Sequence, residues 1–265
     1  MSNMTNNSSS QPPTLMNPKA PSIDIQNASL RYNHSEQCVL LSLDMHIPAA
    51  QWTCILGRSG CGKSSLLRYL ANLLGDKVQW SGQLSTSTHI PLQGQIAYMA
   101  QQDLLMPWLS VLDNVLLSEK FAIKPKPSQR DKACQLLQQV GLSEQAHFLP
   151  QQLSGGMRQR VALARTLMQD KPVVLMDEPF SALDAVTRYR LQNLAYELLK
   201  DKTVVLITHD PQEAIRLAAQ LYIMHGQPAL AESLSVPTSP APRQFDAQCA
   251  ELQQTILDRL EQDYE

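Results

Sequence analysis

Three groups of residues in this 265-residue chain have the types and spacing that phosphate chemistry needs. The first is Gly57-Arg58-Ser59-Gly60-Cys61-Gly62-Lys63-Ser64, with Ser65 directly behind it. Its glycine spacing fits a phosphate loop, whose backbone N–H groups wrap the phosphates while Lys63 neutralises them and the Ser64 hydroxyl ligates Mg²⁺. By itself the loop implies only that the chain binds a nucleoside triphosphate. The second group is Asp177-Glu178, at the end of the apolar run Val173-Val174-Leu175-Met176. A carboxylate at a strand tip opposite the loop suits Asp177 to hold Mg²⁺, usually through water, and leaves Glu178 to polarise an attacking water as general base. Acidic residues after strands often simply face solvent; the phosphate loop upstream gives this pair its catalytic reading. The third group is Leu153-Ser154-Gly155-Gly156-Met157-Arg158-Gln159-Arg160, where Ser154 and the N–H groups of Gly155 and Gly156 open a helix and offer a second anion site.

The elements that must position these groups are legible as apolar periodicity. Trp52 to Leu56 is a short strand that runs into the phosphate loop. Leu66, Leu67, Leu70, Leu73 and Leu74 then predict an amphipathic helix closed by Gly75, so the loop sits between strand and helix. Upstream, Ile23 and Ile25, then Val39, Leu41, Leu43 and Met45, predict one face of an antiparallel pair of strands. Between Gln95 and Lys171 the period is mostly helical, with one helix through Ala133, Leu136, Leu137 and Val140 closed by Gly141. Another runs through Met157, Val161, Ala164, Leu167 and Met168. Strands over Val173–Met176 and Thr203–Ile207 alternate with helices over 182–199 and after Pro211, which argues a mostly parallel sheet. The expected units are a disordered tail over 1–21, a nucleotide-binding domain over 22–235 with a helical subdomain near 100–170, and a linker with a C-terminal helix over 236–265. In that last helix Phe245, Cys249, Leu252, Ile256 and Leu260 share a face that packs back on the core.

Composition narrows the classes. With 22 basic and 24 acidic residues the formal net charge is −2, and no nucleic-acid partner is expected. The 43% hydrophobic and 17% charged content reads as globular. Five scattered cysteines without a Cys-x-x-Cys pair argue against a disulfide framework or a zinc site, and Cys61 reads as a small side chain that the loop tolerates. No secretory signal and no apolar run of about 18 residues is present. The expected location is therefore cytoplasmic, peripheral on the inner face of the membrane if the chain works there.

The string from Leu153 to Arg160 resembles the signature of ATP-binding cassette proteins, the ATPases that power membrane transporters. The resemblance covers about Ile23 to Gly226 and extends to further motifs. Ser181-Ala182-Leu183-Asp184 resembles the family's D-loop, which contacts the opposite subunit; read from the residues it is also a helix N-cap. His209 matches the switch histidine, which touches the γ-phosphate and steadies the catalytic carboxylate. Tyr98-Met99-Ala100-Gln101-Gln102 resembles the Q-loop; counting back from Pro107-Trp108 selects Gln101 as the residue reaching Mg²⁺ and water, although Ala100 stands where the family commonly has an aromatic. Tyr32 is the candidate to stack on adenine, or else an edge-strand aromatic.

The resemblance implies an α/β fold: a P-loop NTPase core with a mostly parallel sheet, an antiparallel β subdomain and an inserted helical subdomain. It implies ATP and Mg²⁺ as cofactors, with the second anion site completing the pocket of a facing copy, so that a homodimer sandwiches two ATP molecules. The implied partners are that second subunit, an integral-membrane permease and, indirectly, an extracytoplasmic solute-binding protein. Leu104-Leu105-Met106-Pro107-Trp108 followed by Val111-Leu112-Asp113-Asn114-Val115 resembles the nitrate/sulfonate/taurine importer group, which includes importers of the thiamine pyrimidine precursor; overall resemblance leans to that precursor. Soluble family members of DNA repair or translation carry long insertions or a second cassette that this chain lacks. An iron–sulfur assembly scaffold is the remaining alternative.

Overall fold

The computed structural model describes residues 20–120 and 128–263; the tail expected over 1–21 lies outside them except for Ala20 and Pro21. In chain order the elements are β1 (Ile23–Tyr32), β2 (Cys38–Ile47), β3 (Trp52–Gly57), α1 (Lys63–Leu70), β4 (Val78–Thr86) and β5 (Ile96–Met99). Four helices follow, α2 (Val111–Val115), α3 (Leu117–Lys120), α4 (Ser128–Gln139) and α5 (Gly155–Met168). The chain then alternates through β6 (Val173–Asp177), α6 (Ala185–Leu198), β7 (Thr203–Ile207) and α7 (Pro211–Leu217), and ends in β8 (Gln220–His225), β9 (Leu230–Leu234) and α8 (Ala247–Gln262).

Two sheets result. An antiparallel sheet has the order β2-β1-β4, and a six-stranded sheet has the order β5-β6-β7-β3-β8-β9, parallel except for the β8–β9 pair. Strands β3, β6 and β7 are buried along their whole length, as strands covered on both faces must be. Alternate residues feed two cores. Ile55, Leu175 and Ile207 face Leu66, Leu67 and Leu70 of α1 and the antiparallel sheet, while Leu56, Met176 and Leu206 face α5, α6 and α7. The sheet's C-terminal edge, where β3, β6 and β7 end, is therefore held from both sides.

Four local expectations are corrected. In β2 it is Leu40 that is buried, while Leu41 is exposed, because a step of two residues along β1 (Ala28 to Leu30) is matched by a step of three along β2 (Leu43 to Leu40). That bulge, with Ser42 at φ +47°, shifts the facing set by one residue. Helix α1 stops at Leu70 instead of running to Gly75: Asn72 takes φ +57°, its N–H donates to Tyr69 O and that of Leu73 to Arg68 O. This double closure is the Schellman arrangement, and it leaves Leu73 exposed. Helix α6 begins at Ala185, not Ala182, capped by the Asp184 carboxylate, which accepts from Thr187 N at 3.0 Å. Phe245 precedes α8 and is exposed, so the buried contacts of that helix come from Cys249 and Ile256 instead. The proline-rich segment 236–243 is pinned by buried Arg243, which donates to Pro237 O, Ile215 O and Ala218 O.

Candidate functional site

Strand β3 delivers the chain into the phosphate loop at Gly57, whose φ of +153° and close approach to the Met224 carbonyl leave no room for a Cβ. Gly62 turns the chain into α1 at φ +108°, where a Cβ would lie 2.7 Å from Val39 Cγ1. The loop folds around the head of Lys63, which is buried and donates from Nζ to Gly57 O at 2.6 Å and Arg58 O at 2.7 Å. The ammonium thus already points along the loop, held by carbonyls that a phosphate can replace. Cys61 is buried among apolar neighbours, and that burial pushes its thiol up against the smaller opposing pull of Lys63. Its packing fits the reading of a tolerated small side chain.

The Ser64 hydroxyl stands near enough to the Asp177 carboxylate at the tip of β6 to pull its pKa down, so loop and strand tip meet. Asp177 is buried, and its Oδ2 has no hydrogen-bond partner among the described residues. An orphaned carboxylate oxygen beside a hydroxyl fits Mg²⁺, a hard cation that takes oxygen ligands. Among the described residues no three His, Cys, Asp or Glu side chains gather in ligating reach, so such an ion would draw its other ligands from phosphate and water. Desolvation raises the Asp177 pKa; the Ser64 hydroxyl opposes this, the Glu178 charge adds to it, and Arg68 and Lys63 oppose it more weakly. A carboxyl with its folded pKa above its unfolded value stabilises the fold below the ordinary carboxylate range. That contribution is lost as pH rises through the folded pKa, so at neutral pH the ionised group is a cost. Asp177→Asn is therefore expected to raise the melting temperature of the nucleotide-free protein at neutral pH, with the gain shrinking as pH falls. Thermal melts over a pH series check this; a lower melting temperature at neutral pH would contradict it.

Glu178 follows in a left-handed conformation, φ +50°, which non-glycine residues adopt uncommonly. Its N–H donates to Ile207 O at 2.9 Å, which ties it to the end of β7. That twist aims the carboxylate between two other predicted residues. Glu178 Oε2 accepts from Gln101 Nε2 at 3.3 Å and lies 3.1 Å from His209 Nδ1. Gln101 comes from the end of β5 and His209 from the end of β7, so residues from three strand ends converge on one oxygen. Gln101, the residue reached by counting back from Pro107-Trp108, is the one whose amide meets Glu178. Tyr32 closes the other flank, its hydroxyl 3.1 Å from Ser65 Oγ and its ring 5.5 Å from that of His34. Its strand β1 is the middle strand of the antiparallel sheet, so the edge-strand reading of Tyr32 falls.

Among the described residues, Ser154, Gly155 and Gly156 make no hydrogen bond to Lys63, Gln101, Asp177, Glu178 or His209. Ser154 caps α5, its hydroxyl accepting from Met157 N at 3.3 Å, and Ser154 and Gly155 are exposed. A Cβ on Gly156 would lie 3.2 Å from Ala182 O, so the helix start abuts the loop that follows Glu178. Residues that the sequence does not single out also act here. Gln159 is buried and bonds that same loop, while Arg188 donates to Leu183 O at 3.1 Å and to Asp210 Oδ2 at 3.2 Å, behind His209. Arg158 and Arg165 tie α5 to Asp103 and Leu104. Gln159 and Arg158 sit inside the Leu153–Arg160 string, but the string does not show what they bond; the partners of these side chains are 5 to 62 positions away.

The known protein families speak to the same arrangement. The ABC transporter family profile matches residues 40–181. An uncharacterized ABC transporter ATP-binding protein of Haemophilus influenzae is 41% identical over 242 residues, covering 90% of this chain and 98% of that one. The chain belongs to the ABC transporter family. The aliphatic sulfonates import ATP-binding protein SsuB of Escherichia coli O1:K1 is 40% identical over 236 residues, 87% of this chain and 88% of that one. Among solved structures, an ATP-binding cassette captured as a dimer in a post-hydrolysis state with ADP and Pi matches with a TM-score of 0.69 at 28% identity, over 80% of this chain and 99% of that one. The chain is thus an ABC cassette that binds ATP and hydrolyses it, on the α/β fold its motifs predict. No helix among the described residues is long and apolar enough to cross a membrane.

Proposed function

We propose that this cassette drives solute uptake through a separate permease as a homodimer, with each ATP held between the phosphate loop of one copy and Ser154-Gly155-Gly156 of the other. One observation carries the reading: at the start of α5 Ser154 and Gly155 are exposed, and among the described residues none of the hydrogen bonds of Lys63, Gln101, Glu178 and His209 reaches them. A second copy is the natural source of a phosphate for that helix start. Within each pocket the loop N–H groups and Lys63 bind the β- and γ-phosphates, and Tyr32 offers its ring to adenine. Mg²⁺, held by Ser64 and Asp177 with Gln101 in reach, would neutralise charge developing on the phosphates. Glu178 takes the proton of the attacking water, and Gln101 and His209 fix the carboxylate's direction.

For the transported solute we favour an organic anion of the sulfonate class over the thiamine pyrimidine precursor, because the SsuB relative of Escherichia coli and similar proteins are aliphatic sulfonates import ATP-binding proteins. The test is to reconstitute the cassette with its permease and solute-binding protein and add ligands singly. Stimulation of ATP turnover by an alkanesulfonate and not by a pyrimidine supports the assignment; the reverse pattern removes it.

We propose Leu104 and Trp108, which are 55% and 72% exposed, as the permease contact. Their loop is stiff. Buried Asn114 accepts from Met106 N, and the two hydrogens of its Nδ2 are shared among Met106 O, Leu109 O and Ser110 O, all within 3.2 Å, while Arg165 holds Leu104 O. A large aromatic on a rigid, exposed loop is what a docking anchor needs. Trp108→Ala is expected to abolish permease-stimulated ATPase while the isolated subunit's basal rate stays within about twofold, since surface changes away from a site rarely propagate. If stimulation survives, the contact lies elsewhere.

A further inference from the structure

We propose that Gln159 is a positioning residue that couples the two ATP sites, a proposal that rests on the shared-pocket reading above. Gln159 lies in α5 five residues after the helix cap Ser154, and its side chain is buried. Its amide spans both ends of one short loop: Nε2 donates to Glu178 O at 3.0 Å, and Oε1 accepts from Ala182 N at 3.1 Å. The orientation of the amide is fixed by its partners, because a peptide N–H can only donate and a carbonyl can only accept.

The two ends of this clamp serve different ATP molecules. The first turn of α5 carries Ser154-Gly155-Gly156, which completes the partner's pocket. The clamped loop carries Glu178, which acts on the ATP of its own phosphate loop. Helix start and loop also touch directly, since a Cβ on Gly156 would lie 3.2 Å from Ala182 O and 3.4 Å from Leu183 Cδ2. When α5 closes on the partner's triphosphate, the loop must either follow or break two hydrogen bonds made by a buried amide. Following is the easier course, and it turns the carboxylate of Glu178, already held at φ +50°, in step with the other site. Occupancy of one pocket thereby reports to the catalytic carboxylate of the next.

Gln159→Met keeps the length of the side chain and removes both bonds. Gln159→Glu keeps the volume and the acceptor for Ala182 N, but sets an oxygen against Glu178 O. The second change disturbs packing least, so at least one folded variant is available, with melting temperature as the check. The wild-type cassette is expected to show a Hill coefficient for ATP approaching two, the number of sites. Both variants should fall toward one and lose about tenfold or more in Vmax, the scale of a slight misplacement of a catalytic group. Nucleotide affinity in dilute protein, read with a fluorescent ATP analogue, should change by less than about threefold, because the phosphate loop is untouched; merely structural damage would lower it together with the melting temperature. Retained cooperativity and Vmax in a folded variant overturn the coupling. A parallel assay of ATP-driven dimerisation in a Glu178→Gln chain separates the two ideas. If that dimer forms, lost cooperativity supports the coupling and retained cooperativity refutes it alone. If the dimer does not form, the shared pocket and the coupling fall together.

Discussion

Glu178→Gln is expected to cut ATP turnover by about 10²–10⁴-fold, the contribution of a well-placed general base, while leaving ATP binding intact. Glutamine has the shape of glutamate and can still meet Gln101 and His209, so the geometry around position 178 survives. What is lost is the capacity to take a proton. Because binding persists and hydrolysis stops, the same change should accumulate the ATP-bound dimer, visible by light scattering. Single-turnover hydrolysis with bound ATP measures the chemical step directly. A loss of less than about tenfold would show that another group accepts the proton, or that the substrate phosphate itself does. His209→Ala and Gln101→Ala should each cost less, since they aim the carboxylate but leave it present.

Lys63→Ala is expected to weaken ATP binding by about 10²-fold or more. Charge-assisted hydrogen bonds are worth about 1.5–3 kcal/mol each, and about 1.4 kcal/mol is a factor of ten in affinity. Among the described residues the buried ammonium of Lys63 hydrogen-bonds only the carbonyls of Gly57 and Arg58 and the soft sulfur of Cys61. Its desolvation is thus already incurred in the folded chain, and replacing neutral carbonyls by phosphate oxygens is a net gain. Lys63→Arg should not rescue, because a planar fork cannot follow the path of a point charge buried in so tight a loop. Equilibrium titration with a labelled nucleotide gives the constant. An affinity within about threefold of wild type would mean that the backbone N–H groups hold the phosphates unaided.

How far the fold and site are legible in the sequence follows from the range of the interactions involved. The phosphate loop, β3 and the Val173–Asp177 strand are readable because each is fixed by neighbours in sequence: a glycine spacing, or an apolar run too short for a helix. Gly141 closes α4 as expected, since a left-handed cap is a local matter. The end of α1 misleads for the complementary reason. Leu73 and Leu74 continue the apolar stripe, yet Asn72 stops the helix with a backbone turn that carries no hydrophobic signal. The exchange of Leu41 for Leu40 depends on a bulge opposite β1, a pairing between strands that neither strand announces. Gln159 and Asn114 look like ordinary polar positions, and only the folded chain shows their amides turned inward onto backbone groups. Residues that perform chemistry are legible from type and spacing; those that aim them are not, because their role exists only across the fold.

The shared pocket is the claim on which the rest depends, and mixed dimers test it most directly. Lys63→Ala chains and Ser154→Arg chains are each expected to be inactive as homodimers, since every pocket lacks its loop lysine in one case and its facing helix start in the other. Mixed together, they form one pocket with both defects and one pocket with neither. ATPase activity well above that of either parent, rising with the fraction of mixed dimer, is the predicted result. Activity no greater than that of the parents, in mixtures shown to contain the mixed dimer, would mean that each chain builds its own site alone.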